Sequence, residues 1–258
     1  MIKILSRFLE FYKLYKFADV PLIHFFRKSR SLASLKILHG VKRINEDFAV
    51  IIDVGANQGQ FSIASNFFFP KARIFAFEPS RKAFEQLLDN TKDKRNIEVF
   101  QLGLGEKVGK VSFFENEYSL ASSPLEMSNY QKSKIPETSN AFITEIDMDT
   151  LDNFSKKHVN SLNGKLLLKL DVQGYEKNVL DGAKSFLNKV DYLLFETSFV
   201  ELYKEELLFA EMHCFLTSKG FDLVQPLAIF ESFDLEILQM DVIYKNSNRV
   251  LNKHGEIL

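Results

Sequence analysis

The chain has 258 residues, 46% hydrophobic and 26% charged, an ordinary globular balance that excludes wholesale disorder and fits one large domain with an appendage. A single cysteine, Cys214, excludes an internal disulfide framework and any multi-cysteine zinc site. The formal charge of −1 hides an asymmetry: residues 1–43 carry ten Lys and Arg against two acids, Glu10 and Asp19, and the remainder is acidic.

That N-terminal stretch is also rich in aromatics, among them Phe8, Phe11, Tyr12, Tyr15, Phe17, Phe25 and Phe26. Its start, MIKILSRFLEF, is broken by charges and lacks a signal-peptide core, and no apolar run approaches the roughly 18 residues of a membrane span. The expectation is a cytoplasmic protein whose residues 1–45 form a helical extension packed on the main domain. The same basic, aromatic surface also suits a homo-oligomer, or peripheral contact with a membrane or a lipid-linked glycan. Nucleic acid is not expected, because the acidic remainder repels phosphates.

From about residue 48 short apolar runs alternate with amphipathic stretches. Phe48–Asp53 reads as a buried strand running into a glycine turn, Gly55 to Gly59, and Gln60–Phe69 as the helix that follows. Arg73–Phe77 is a second strand and Arg81–Asn90 a second helix; Ile97–Leu102 is a third strand, and Val108–Glu115 an element at a sheet edge. Tyr118–Ser139 is polar, holds Pro124 and Pro136, and breaks the rhythm as a long functional or mobile loop. Lys165–Leu170 and Val190–Phe195 are buried strands flanking a helix over Glu176–Leu187. Glu205–Lys219 is a helix stopped by Gly220, and Phe221–Val224 with Met240–Tyr244 makes a final hairpin. Strand and helix alternating at this spacing mean an α/β fold, a mostly parallel sheet covered on both faces. The main domain is read as 46–246, with 247–258 as a tail.

The segment VIIDVGANQGQF carries the most chemistry. A strand that turns through glycines into a helix lets backbone N–H groups approach a ligand closely. The frame is D-x-G-x-x-x-G, not the G-x-G-x-x-G of dinucleotide folds, and an acid at Asp53 suits a ligand bearing an ammonium. The second strand ends in Glu78, placed to accept both hydroxyls of a ribose. An amino-acid moiety at the first turn and a ribose at the second strand describe S-adenosyl-L-methionine.

The motifs DVGANQGQF, FEPSRKAFEQLLDN, LGLGEKVGKVSF and LLLKLDVQGYEKNVLDGA, in that order from about Val50 to Val224, resemble the FkbM family of S-adenosylmethionine-dependent methyltransferases. The resemblance implies a class I, Rossmann-like three-layer fold with a seven-stranded sheet ending in an antiparallel hairpin. It also implies O-methylation of a hydroxyl on a sugar, glycan or secondary metabolite. Carried onto this chain, Asp53, Gly55, Asn57 and Gly59 line the methionine end of the cofactor, with Gln60 and Phe61 starting the helix beneath it. Glu78 takes the ribose, Pro79 and Ser80 border the adenine, and Leu102, Gly103 and Leu104 close its pocket. Residues before about 45 and after Asn246 inherit no role.

Methyl transfer to a hydroxyl needs alignment of oxygen, methyl and sulfur, and a group to take the proton. Ligands in such sheets bind at the carboxyl ends of strands, which puts forward Asp171 and Glu196 as catalytic candidates. Each also reads as a loop-ordering or helix-capping acid. Lys169 faces the same side as Asp171 and can pair with an acid or meet an anionic acceptor. Glu176 suits the helix dipole. Ser122 and Ser123 lie in the long loop, and Tyr118, Phe199 and Tyr203 suit either a sugar face or the core. No metal site is expected: the five histidines show no ligand spacing, and Asp147, Asp149 and Asp152 lack the rest of a calcium loop. Cys214 and His213 read as packing residues. The alternatives are a binding protein for S-adenosylmethionine without catalysis, an N-methyltransferase and, outside both, a nicotinamide dehydrogenase.

Overall fold

The computed structural model describes residues 31–44, 47–159, 163–232 and 235–249. Most of the basic arm, with its expected oligomer, membrane and glycan contacts, and the tail from residue 250 lie outside the described residues. In chain order the elements are α1 (Leu32–Arg43), β1 (Val50–Val54), α2 (Gln60–Phe68), β2 (Arg73–Phe77), α3 (Arg81–Thr91), β3 (Ile97–Phe100), β4 (Gly103–Leu104), β5 (Gly109–Asn116), α4 (Asn129–Lys134), β6 (Ala141–Asp149), α5 (Leu151–His158), β7 (Leu166–Leu170), α6 (Glu176–Asp181), β8 (Tyr192–Ser198), α7 (Phe209–Ser218), β9 (Phe221–Glu231) and β10 (Ile237–Asn246).

The five-residue strands are apolar on both faces because both are covered. Val50, Ile52, Val54, Leu166, Leu168 and Leu170 enter a core beneath α5, α6 and α7, whereas Ile51, Leu167, Leu194 and Ile243 enter a second core beneath α1, α2 and α3. The main sheet runs β3-β2-β1-β7-β8-β10-β9, parallel except for β10, which is antiparallel to both neighbours. It is a three-layer α/β fold of the class I methyltransferase kind, with seven strands and a terminal antiparallel hairpin. Helix α1 begins at Ser31, whose hydroxyl accepts the Ser34 N–H, and it buries Leu35, Leu38 and Val41 on this body.

Several expected elements take a different form. Gly109–Asn116 does not edge the main sheet; it pairs with β6, and with β4 the two make a separate three-stranded sheet. Alternation explains it: Phe113, Ile146 and Met148 face inward while Lys110, Glu145 and Asp147 face water, where Lys110 pairs with both acids. The helix expected over Glu176–Leu187 ends at Asp181, and the chain resumes as a short 3₁₀ turn, Phe186–Lys189. Gly182 caps that end and packs closely, since a Cβ there would lie 1.9 Å from the Gly105 carbonyl oxygen. Helix α7 starts at Phe209, not Glu205, because Glu205 is left-handed (φ 64°) and the Glu206 carboxylate accepts the Leu202 and Tyr203 N–H groups. Cys214 is exposed: Met212 and Leu216, one turn apart, take the buried face of α7 and leave it on the other. The chain stays attached past Asn246, with Arg249 Nε 2.9 Å from Asp191 Oδ1.

Candidate active site

A cavity of about 590 Å³ of empty space, partly open to solvent, lies at the carboxyl ends of β1, β2 and β7. Its walls change character along its length. One end is apolar, with Phe77, Leu102, Leu104, Phe113, Ile146 and Met148; the other is polar, with Gly55, Asn57, Asp171 and Gln173. The small sheet β4-β6-β5 supplies Phe113, Ile146 and Met148, and the 118–139 segment adds Ser119, Leu120, Ser122 and Pro124.

The turn after β1 is held open by backbone conformation. Gly55 (φ 76°), Asn57 (φ 46°) and Gly59 (φ 89°) are all left-handed. A Cβ on Gly55 would sit 1.8 Å from the Asp171 carbonyl oxygen, so the turn and the loop after β7 touch backbone to backbone. Glu78, 6% exposed, orders the turn from β2: Oε2 accepts the Asn57 N–H at 2.8 Å and Oε1 the Ser80 N–H at 2.9 Å. Burial pushes its pKa up to about 7, against the pull of those two bonds.

Gly55, Asn57, Glu78, Pro79, Gly103, Leu104 and Asp171 from the expected set line the cavity. Asp53, Gly59, Gln60, Phe61, Ser80 and Glu196 are not among its lining residues. Asp53 needs a different reading from the one its position in the motif invites. It is fully buried, Oδ2 accepts the Ser62 hydroxyl at 2.6 Å, and Oδ1 stands 2.9 Å from Lys169 Nζ. Its charge is met within the chain by Lys169. Gly59 backs onto α3, where a Cβ would meet Leu87 at 2.8 Å, and the Phe61 ring lies 5.4 Å from Lys169 Nζ. Ser80 donates its hydroxyl to Glu115, tying β2 to the small sheet.

At the polar end the loop Asp171–Tyr175 collects the carboxylates. Gln173, a non-glycine residue at φ 56°, donates through Nε2 to Asp171 Oδ1 and to Glu196 Oε2, each at 3.0 Å. Tyr203, fully buried, donates its hydroxyl to Gln173 Oε1 at 2.8 Å, and Ser123 donates to the Gln173 carbonyl at 2.7 Å. Glu196 faces Asp241 directly across the β8–β10 pairing and accepts the Gln239 amide at 2.9 Å. Burial and mutual repulsion among Asp171, Glu196 and Asp241 hold the Glu196 and Asp241 carboxyls well above the usual range. Glu176 accepts the Val172 N–H at 3.0 Å and is pushed up to about 8 by burial.

Other residues marked in the sequence have structural work. Asp149 accepts the Thr150 N–H and the Asn153 amide, and Asp152 accepts the Ser185 and Phe186 N–H groups. His213 shares a hydrogen bond with Tyr244 at 2.9 Å. Tyr118 and Phe199 are exposed and do not line the cavity. The residues missed by sequence reasoning are Phe113, Ile146, Met148, Gln173 and Tyr175. Alternation in EIDMD was the available signal for two of them.

A main sheet of this order, a glycine turn after its first strand and an acid ending the second define a class I S-adenosylmethionine-dependent methyltransferase. Residues 53–223 match the Methyltransferase FkbM domain, and the chain belongs to that family. Its cofactor is S-adenosyl-L-methionine. Among curated relatives, the 2-O-methyltransferase NoeI of Sinorhizobium fredii is 28% identical over 172 residues, 61% of this chain and 67% of that one. The hexuronic acid methyltransferase AglP of Haloferax volcanii is 27% identical over 152 residues, 58% of this chain and 56% of that one. A solved structure of magnesium protoporphyrin IX methyltransferase from Synechocystis, with bound cofactor, is 11% identical with a TM-score of 0.46, over 94% of this chain and 92% of that one.

The cavity suits this cofactor on its own features. Its lining joins apolar side chains suited to a flat base, a buried carboxylate suited to ribose hydroxyls and a left-handed glycine turn. Among the described residues no group of His, Cys, Asp and Glu is arranged to hold a metal ion, and no helix is long and apolar enough to cross a membrane.

Proposed function

We propose that this enzyme is an O-methyltransferase acting on a hydroxyl of a sugar, glycan or secondary metabolite. The observation that carries the reading is the half-exposed Asp171 carboxylate, 38% accessible, on the cavity wall and joined through Gln173 to Glu196. A weakly acidic hydroxyl needs a proton acceptor beside it, and this pair supplies one at the carboxyl ends of β7 and β8. The names of the relatives NoeI and AglP support the same acceptor class.

In this reading Gly55 and Asn57 hold the methionine portion, Glu78 the ribose hydroxyls, and Pro79, Leu102, Gly103 and Leu104 the adenine. S-adenosylmethionine, when bound, supplies an electrophilic methyl on its sulfonium. Asp171 orients the acceptor hydroxyl and takes its proton at the carboxylate, and Gln173, anchored on Glu196, holds Asp171 Oδ1 in place. Leu120, Ser122 and Pro124 shield the site from water. The acceptor is a small molecule or glycan and not a nucleic acid, and the lone Cys214 suits a reducing compartment such as the cytoplasm.

Calorimetric titration with S-adenosylmethionine and S-adenosylhomocysteine tests the cofactor end, followed by transfer of labelled methyl to a panel of glycosides. Binding that Glu78→Ala weakens, and labelling that Asp171→Asn abolishes, are expected. Labelling of amines but not of hydroxyls sinks the O-methyl reading.

A further inference from the structure

We propose that Lys169 is a specificity-determining positioning residue of the cofactor pocket: it fastens the Gly55 turn to β7 and, by partly neutralising Asp171, sets the preference between the sulfonium cofactor and its neutral thioether product. The proposal rests on the reading that places Asp171 at the reacting methyl.

A lysine in a central strand is costly to bury unless every donor is used. Lys169 is 7% exposed and stands directly opposite Asp53 in the β1–β7 pairing. Four oxygens converge on its Nζ: Asp53 Oδ1 at 2.9 Å, the Gly55 carbonyl at 3.1 Å, Asp171 Oδ2 at 3.4 Å and the Val54 carbonyl at 3.5 Å. One ammonium therefore joins β1, the turn after it and the end of β7, the three pieces of backbone around the polar end of the cavity. Such a clamp fixes the Gly55 carbonyl at the place where the turn and the Asp171 loop already touch.

The charges around it are unequal in reach. Asp53 is sealed from the cavity, its second oxygen held by Ser62, so its charge is spent on Lys169. Asp171 is half exposed on the wall, and Lys169 is the cation that offsets it. Glu196 and Asp241 stand farther along the same face of the sheet, Glu176 lies behind the loop, and Glu78 on the cavity wall also interacts with Lys169; with Asp53 and Asp171 these are the charged groups that Lys169 shares the site with. S-adenosylmethionine and S-adenosylhomocysteine differ by one methyl and one positive charge, so the ratio of their affinities reads the field at this end of the pocket.

The test is calorimetry of both ligands on the wild type, Asp53→Asn and the double variant Lys169→Met/Asp53→Asn, with circular dichroism to establish folding. The double variant is used because Lys169→Met alone strands Asp53 buried and unpaired. Asp53→Asn frees the Lys169 charge and is expected to shift the ratio about three- to tenfold toward S-adenosylhomocysteine. The double variant, lacking that charge, is expected to shift it toward S-adenosylmethionine. Equal weakening of both ligands, with the ratio unmoved, makes Lys169 merely structural and overturns the proposal, and Asp53→Asn alone decides it if the double variant does not fold. Wild type that binds neither ligand overturns the cofactor reading itself, an outcome distinct from an unmoved ratio.

Discussion

Gln173 Nε2 stands 3.0 Å from Glu196 Oε2 and equally 3.0 Å from Asp171 Oδ1, so one uncharged amide joins a carboxylate on the cavity wall to one behind it. A carboxamide does this without adding to a site already crowded with negative charge, and Tyr203 fixes which end of the amide faces the acids. The cost is a left-handed backbone at φ 56°, about 1 kcal/mol or more for a residue with a Cβ.

Two opposed effects therefore meet at Gln173, and substitution separates them. Gln173→Ala keeps the strain and loses the bonds, leaving two carboxylates without their donor, for an expected loss of about 1–3 kcal/mol. Gln173→Gly loses the same bonds but relieves the backbone, so it should be the more stable of the two by about 1 kcal/mol. Denaturant titration of both variants checks the order; Ala equal to or above Gly contradicts it.

Glu78 links cofactor binding to pH. Its pKa is raised to about 7 in the folded protein, and ribose hydroxyls donate to the ionised form. Affinity for S-adenosylhomocysteine should rise as pH increases from 6 to 8, with proton release on binding near neutrality, and Glu78→Gln should flatten the profile. The free protein runs the other way. A carboxyl raised in the fold stabilises it fully below the unfolded value of 4.5, and that stability is lost as pH climbs through about 7. For Glu78 this is on the order of 3 kcal/mol as an upper figure, and Glu176, raised to about 8, acts in the same direction. Thermal melts without ligand should therefore fall between pH 5 and 8, less steeply in Glu78→Gln.

Gly55→Ala should be among the most damaging single changes. The new Cβ meets the Asp171 carbonyl oxygen at 1.8 Å, and the backbone is left-handed, so the turn and the β7 loop must separate. A loss of about 4 kcal/mol or more, or no soluble protein, is expected. A stable, cofactor-binding Gly55→Ala would show that the contact is not needed.

Leu120 offers the opposite case, a residue of the pocket that the fold does not depend on. It lines the cavity yet is 46% exposed. Leu120→Ser should weaken S-adenosylhomocysteine by about fivefold through lost apolar contact, with melting temperature unchanged. Calorimetry paired with a thermal melt reads both.

The glycine turn, the acid ending β2 and the strand–helix alternation were legible because each is written within a few consecutive residues. VIIDVGANQG specifies strand, left-handed turn and helix start by local backbone preference, and RIFAFEP places Glu78 at a strand end by counting. The motif frame left the surroundings of Asp53 unread. Asp53 looks like a ligand group in one dimension, and only its register opposite Lys169 shows that the chain itself neutralises it.

The sequence by itself determined the parallel α/β sheet, the open turn and the position of Glu78, since hydrophobic period and glycine conformation act over short spans. Tertiary structure alone decided three things: the pairing of β5 with β6 that walls the pocket with Phe113, Ile146 and Met148, the register of β10 on β8 that sets Asp241 against Glu196, and the bridge from Gln173 to Glu196. Each joins segments far apart in the chain, and such pairings follow from register and core packing, which no local pattern encodes.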